Sequence, residues 1–198
     1  ILREPSFTAY ALSGTFSFAG LLVYVTGSPI IFMTGFHVSA QTYGIIFAFL
    51  ACGFLGSNQI NIQLLKKFHS SQVFQSALIF QCVMGVIFII GVMSGGWGLY
   101  GTVAFLFVLL GCLGMTYPNG AALALAPFST NAGAASSLIG FLQIGVASVA
   151  AATIGLFDSA DAKPIFFILA ITPLIGLAIL WIGKKRITYN ALDASEPV

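Results

Sequence analysis

Seven residues near the start of the chain, Ser6, Tyr10, Ser13, Ser17, Gly20, Tyr24 and Ser28, recur at intervals of 4, 3, 4, 3, 4 and 4. A helix aligns that spacing on one face. Hydroxyls there can hydrogen-bond a ligand, and the two phenol rings add an aromatic wall. Small residues on a shared face also let two helices approach closely, so the stripe suits packing as well. Thr8, Thr15 and Thr26 fall on the opposite face, where threonine can bond back to its own helix. Further along, Tyr117 and Asn119 flank Pro118, whose missing N–H frees a carbonyl one turn earlier. That irregularity suits the wall or gate of a cavity. Gln143 lies deep in another apolar segment, sharing a helical face with Ser136, Gly140, Ala147 and Ala151. A buried amide needs a partner, either a neighbouring helix or a ligand. Gln81 raises the same question. The candidate ligand-binding residues are therefore Tyr10, Ser13, Ser17, Tyr24, Ser28, Tyr117, Asn119 and Gln143. Gly27, Pro29 and Pro118 are the candidate helix bends. Tyr24→Ala and Gln143→Ala are expected to shift a ligand profile more than Phe18→Ala.

What is missing narrows the chemistry. None of the seven bases or five acids lies in the middle of an apolar segment, whereas proton relays in membranes use ionisable groups there. His37 and His69 lie near segment ends on opposite sides, where solvated loop positions are expected. No nucleophile, base and acid converge, and no metal-ligand spacing occurs, so no enzyme is expected. Cys52, Cys82 and Cys112 fall in three different segments. They are read as small buried hydrophobes rather than a disulfide framework.

The elements that must position these residues follow from composition. Hydrophobic residues make up 59% of the 198, charged ones only 6%, and mean hydropathy is +1.03. Such a chain cannot build a water-facing surface of ordinary polarity. Long apolar runs without strict alternation select membrane-spanning helices over a barrel. Six runs reach the roughly 20 residues a span needs: Phe7 to about Met33, Thr42 to about Leu65, Val73 to Met93, Gly98 to about Pro127, Ala132 to Phe157, and Pro164 to Gly183.

Arg3, Lys66, Lys67, Lys184, Lys185 and Arg186 all fall on one side of such an arrangement, against Lys163 with Asp158 and Asp161 on the other. The positive-inside rule then places both termini in the cytoplasm. A net charge of +2 implies no nucleic-acid partner. The six spans split into two groups of three, residues 7–93 and 98–183, offset by about 90 residues, with residues 184–198 as a cytoplasmic tail. Pro29 corresponds to Pro118, and the Gly-rich second span to the Gly-rich fifth. Three spans per group is odd, so the two copies must be inverted. The expected fold is an all-α membrane protein of six transmembrane helices in two inverted three-helix repeats.

FAGLLVYVTGSPIIF (Phe18 to Phe32), FHVSAQTYGIIFA (Phe36 to Ala48), SNQINIQLLKK (Ser57 to Lys67) and GAASSLIGFLQ (Gly133 to Gln143) resemble Bcr/CflA-type transporters. These are bicyclomycin and chloramphenicol resistance proteins of the major facilitator superfamily, and the resemblance is to their C-terminal half, spans seven to twelve. It runs along nearly the whole chain. It implies proton-coupled export of drug-like amphiphiles across a bacterial inner membrane by alternating access, with no bound cofactor beyond the proton gradient. It also implies a missing N-terminal half, which would carry the coupling carboxylate. The segment Gly56 to Lys67 departs from the superfamily's loop motif, keeping a glycine, amides and two lysines but no acid. A chain opening at Ile1 is expected to be a fragment or processed product. The alternative is a non-transporting six-helix module that acts by homodimerisation or by assembly with a separate half.

Overall fold

In the computed structural model, which describes residues 1–156 and 162–193 (side chains at 186 and 188–193 excepted), the chain is helical almost throughout. Helix α1 (Pro5–Pro29) runs directly into a π-helical turn, Ile30–Gly35. There follow α2 (Ala40–Leu64), α3 (Ser70–Met93), α4 (Leu99–Leu125), α5 (Ala132–Ala152) with a 3₁₀ turn at Thr153–Leu156, and α6 (Lys163–Asp193). All six are long and apolar enough to cross a bilayer, and no strand occurs among the described residues.

Local sequence sets several boundaries. Pro5 occupies the first turn of α1, where its missing N–H costs nothing. The turn before α2 holds His37 at φ 52, and Ser39 Oγ then caps α2 by accepting from the Thr42 N–H at 3.2 Å. At the start of α3, Gln72 Oε1 reaches back to the His69 N–H at 3.0 Å. The sixth helix continues ten residues past the expected end of its span, to Asp193. No Gly or Pro interrupts residues 184–196, so nothing local stops it. Asp158, Asp161, Phe157 and residues 194–198 lie outside the described residues.

The packing repeats itself. Helix α1 packs on α4, α5 and α6, while α4 packs on α1, α2 and α3, and α3 meets α6. Exchanging the first three helices for the last three maps this pattern onto itself. That is the relation expected of two repeated three-helix units. In section, α2, α4, α1 and α5 form one row, with α3 and α6 behind. The central pair α1 and α4 is half buried within the chain, whereas the flanking α2 and α5 are the least covered.

Close approach of backbones holds the row to the back layer and its own members to one another. A Cβ on Gly176 of α6 would lie 2.8 Å from the Ser13 carbonyl oxygen of α1. On α4, a Cβ on Gly114 would collide with Ser57 Oγ and the Phe54 carbonyl of α2. Without a hydrophobic drive between helices in lipid, such contacts supply much of the association.

Candidate functional site

The polar stripe of α1 turns inward. Ser13 and Ser17 are fully buried. Ser17 Oγ donates to Gln81 Oε1 of α3 at 2.8 Å and lies 3.0 Å from Thr116 Oγ1 of α4. Tyr10 sets its ring edge-on to Phe74 of α3, centroids 5.6 Å apart. Tyr24 is only 2% exposed and stacks on Phe47 of α2 at 5.8 Å. Among the described residues its hydroxyl finds no hydrogen-bond partner, nor do Ser13 Oγ, Gln81 Nε2 and Thr172 Oγ1. The stripe is thus the surface by which α1 meets four other elements.

Its upper end explains the Gly27–Ser28–Pro29 triplet. Pro29 has no N–H to give Val25 O, the carbonyl four residues earlier. Ser28 Oγ takes over that role, donating to Val25 O at 3.2 Å, and also pairs with Tyr43 OH of α2 at 2.9 Å. The helix runs through Pro29 and then widens, with Phe36 N–H reaching Ile31 O at 3.2 Å. Gly27 gives room to Ile165 of α6, whose nearest carbon would lie 2.8 Å from an added Cβ. Ser28→Ala is expected to cost about 1 kcal/mol, on the scale of hydrogen bonds between membrane helices. Thermal unfolding in detergent checks this, and Tyr43→Phe in the Ser28→Ala background should add little.

On the basic side, Asn119 is buried in a neutral amide cluster. Its Nδ2 donates to Asn61 Oδ1 of α2 at 2.6 Å and to Met115 O at 2.7 Å, while its Oδ1 accepts from Ser70 Oγ of α3 at 2.7 Å. The cluster ties both ends of the α2–α3 connection to α4, just beyond Pro118, which α4 accommodates without a break. On the same side, Lys184 Nζ donates to Gln75 Oε1, linking α6 to α3. Gln143 shares the covered face of α5 with Ala135, Ile139 and Ala147, and is 8% exposed.

The open surface of the central pair lies elsewhere. About half a turn from Gly20 and Gly27, which face α6, helix α1 carries Phe18, Leu22, Val25 and Pro29 at intervals of 4, 3 and 4. Phe18 and Leu22 are half-buried; Val25 and Pro29 are exposed. Across from them on α4, Tyr117 is 40% exposed, its ring 5.0 Å from that of Phe18. Of the expected ligand-binding residues, Tyr117 stands on this open face, whereas Ser13, Ser17, Tyr24, Ser28 and Asn119 are turned into helix contacts. Phe18, Leu22 and Val25 were not among the sequence candidates. Their signal was present as a second periodic face, apolar instead of polar.

Comparison with known proteins fits this architecture. The chain is 26% identical over 192 residues to the uncharacterized MFS-type transporter YdgK of Bacillus subtilis, covering 96% of this chain and 47% of that protein. It is 23% identical over 186 residues to a bicyclomycin resistance protein homolog of Haemophilus influenzae, covering 93% of this chain and 46% of that one. The chain therefore spans about half the length of the curated relatives it matches. No family model matches it, and no solved structure matches it significantly. The chain is a multi-pass membrane protein that resembles, along nearly all of its length, major facilitator transporters of the bicyclomycin-resistance type.

Proposed function

We propose that these residues form the C-terminal half of a multidrug exporter that exchanges drug-like amphiphiles for protons across a bacterial inner membrane, with both ends of this chain in the cytoplasm. The supporting observation is the open aromatic face of Phe18 and Tyr117 on the two helices at the centre of the packing. Such a face is left uncovered by the chain's own helices and sits where a second six-helix half would oppose it. Leu22, Val25 and Pro29 extend it toward the Ser28 end of α1. Its groups are neutral, so binding grades with contact area and discriminates weakly among bulky cargoes. Ser13, Ser17, Tyr10, Tyr24 and Gln143 form the layer beneath, holding the wall rather than touching cargo through most of their surface. Alternating access rocks this half against the other around the shared cavity.

Proton coupling is assigned to the absent half, because residues 5–157 contain no acid and coupling in a membrane needs an ionisable group at depth. Reconstituted alone in vesicles, this chain should show no drug accumulation when a pH gradient is imposed. Robust proton-driven uptake by the chain alone would overturn that assignment.

A further inference from the structure

Helices α2 and α3 both lean on α4 and barely on each other. Between them lies an apolar groove with two connected parts. The deeper part, about 370 Å³, is lined by Cys52, Gly56, Phe107 and Gly111 among others. The part nearer the α2–α3 turn, about 300 Å³, is lined by Leu64, Phe68, Gln72 and Val73. Ala77, Phe80 and Met115 belong to both. The groove is separate from the aromatic face. Val108, on its floor, stands nine residues from Tyr117, which is half a turn around α4.

We propose that this groove seats one acyl chain of an anionic phospholipid whose phosphate lies at Lys66 and Lys67. Three observations select that occupant. From Cys52 to Leu64 the groove follows α2 for about 18 Å at 1.5 Å per residue, close to the roughly 15 Å depth of one leaflet's hydrocarbon. Its walls are almost wholly apolar at depth, where the hydroxyl of Ser57 is spent on the Phe54 carbonyl, and they gain Gln72 and Ser76 toward the turn. Both lysines are exposed on that turn, directly beside the lining residue Phe68, and no carboxylate occurs anywhere on α2, α3 or α4. Positive charge at the mouth of a leaflet-deep slot whose three helices carry no acid matches a lipid with a net negative headgroup. Glycine at position 56 keeps the slot open, since an added Cβ there meets nothing within 4 Å.

The test is native mass spectrometry of the full chain in detergent, titrated with phosphatidylglycerol or phosphatidylcholine of identical acyl chains. Phosphatidylglycerol should be retained more strongly. Lys66→Gln and Lys67→Gln should each weaken its retention about fivefold, the worth of one basic residue near an anionic surface. Gly56→Phe, which fills the slot and leaves both charges, should abolish the retained lipid, whereas Lys185→Gln should leave the headgroup preference in place. Equal retention of the two lipids overturns the proposal. So does a preference that survives Gly56→Phe or the double lysine replacement, or a dimer of the chain that forms in place of the lipid complex.

Discussion

Gly114→Leu should abolish the folded protein. No side chain fits at this position, because an added Cβ already runs into Ser57 Oγ and the Phe54 carbonyl. That carbonyl is committed: it also accepts from Ser57 Oγ at 2.7 Å and from Asn58 Nδ2 at 3.2 Å. Relief would have to come from moving α2 bodily off α4, which breaks the Asn119–Asn61 bond and the stack of Phe49 on Phe107 at 4.8 Å. Overpacking a core commonly costs about 1–3 kcal/mol. Here the obstruction is backbone and the inserted group has four carbons, so the upper end or beyond is expected. Gly56→Leu serves as the matched control on the same pair of helices, with open space around it. Monodisperse protein on size exclusion should disappear for Gly114→Leu and persist for Gly56→Leu; similar yields from both would contradict the packing described.

The second large effect concerns cargo. In the full-length transporter, Phe18→Ala combined with Tyr117→Ala should raise the drug concentration for half-maximal efflux about tenfold, equivalent to about 1.4 kcal/mol. Ser13→Ala should change it less than twofold, since its side chain is fully buried within the helix packing. This ordering reverses the one expected from sequence, in which Tyr24 and Gln143 outranked Phe18. Competition assays with several drugs of different shape check it. An unchanged profile in the double variant, with a strong shift in Ser13→Ala, would return the cavity to the polar stripe.

The reversal has a physical origin. In water, polar residues at helical spacing mark the outside of a helix; in lipid, small and hydroxylated residues are drawn into helix contacts, where backbones approach and hydrogen bonds find partners. Spacing alone placed Ser13, Ser17 and Gly20 correctly on one face, but spacing cannot say which neighbour that face meets. Ser17 found Gln81 and Thr116, contacts across 64 and 99 residues of chain that no local pattern encodes. The spans themselves were legible because length and hydropathy directly reflect bilayer thickness. Pro29 and Pro118 both sit inside helices in the structure. The sixth span was legible too, Pro164 to Gly183 against Lys163–Lys185, while the helix itself runs on to Asp193 because polar composition after Gly183 signals departure from the bilayer, not the end of a helix. Cys52 was expected to be buried and is exposed in the groove, since the gap between α2 and α3 depends on both leaning on α4.

The most direct test of the cavity assignment is accessibility in the assembled membrane protein. Single cysteines at positions 18, 117, 13 and 17, introduced after the three native cysteines are replaced by alanine, would be treated with a membrane-impermeant maleimide in the absence and presence of cargo. A water-filled cavity wall predicts rapid labelling at 18 and 117, slowed by cargo, with 13 and 17 unreactive. Labelling at 13 and 17 with cargo protection there, and none at 18 and 117, would contradict the account.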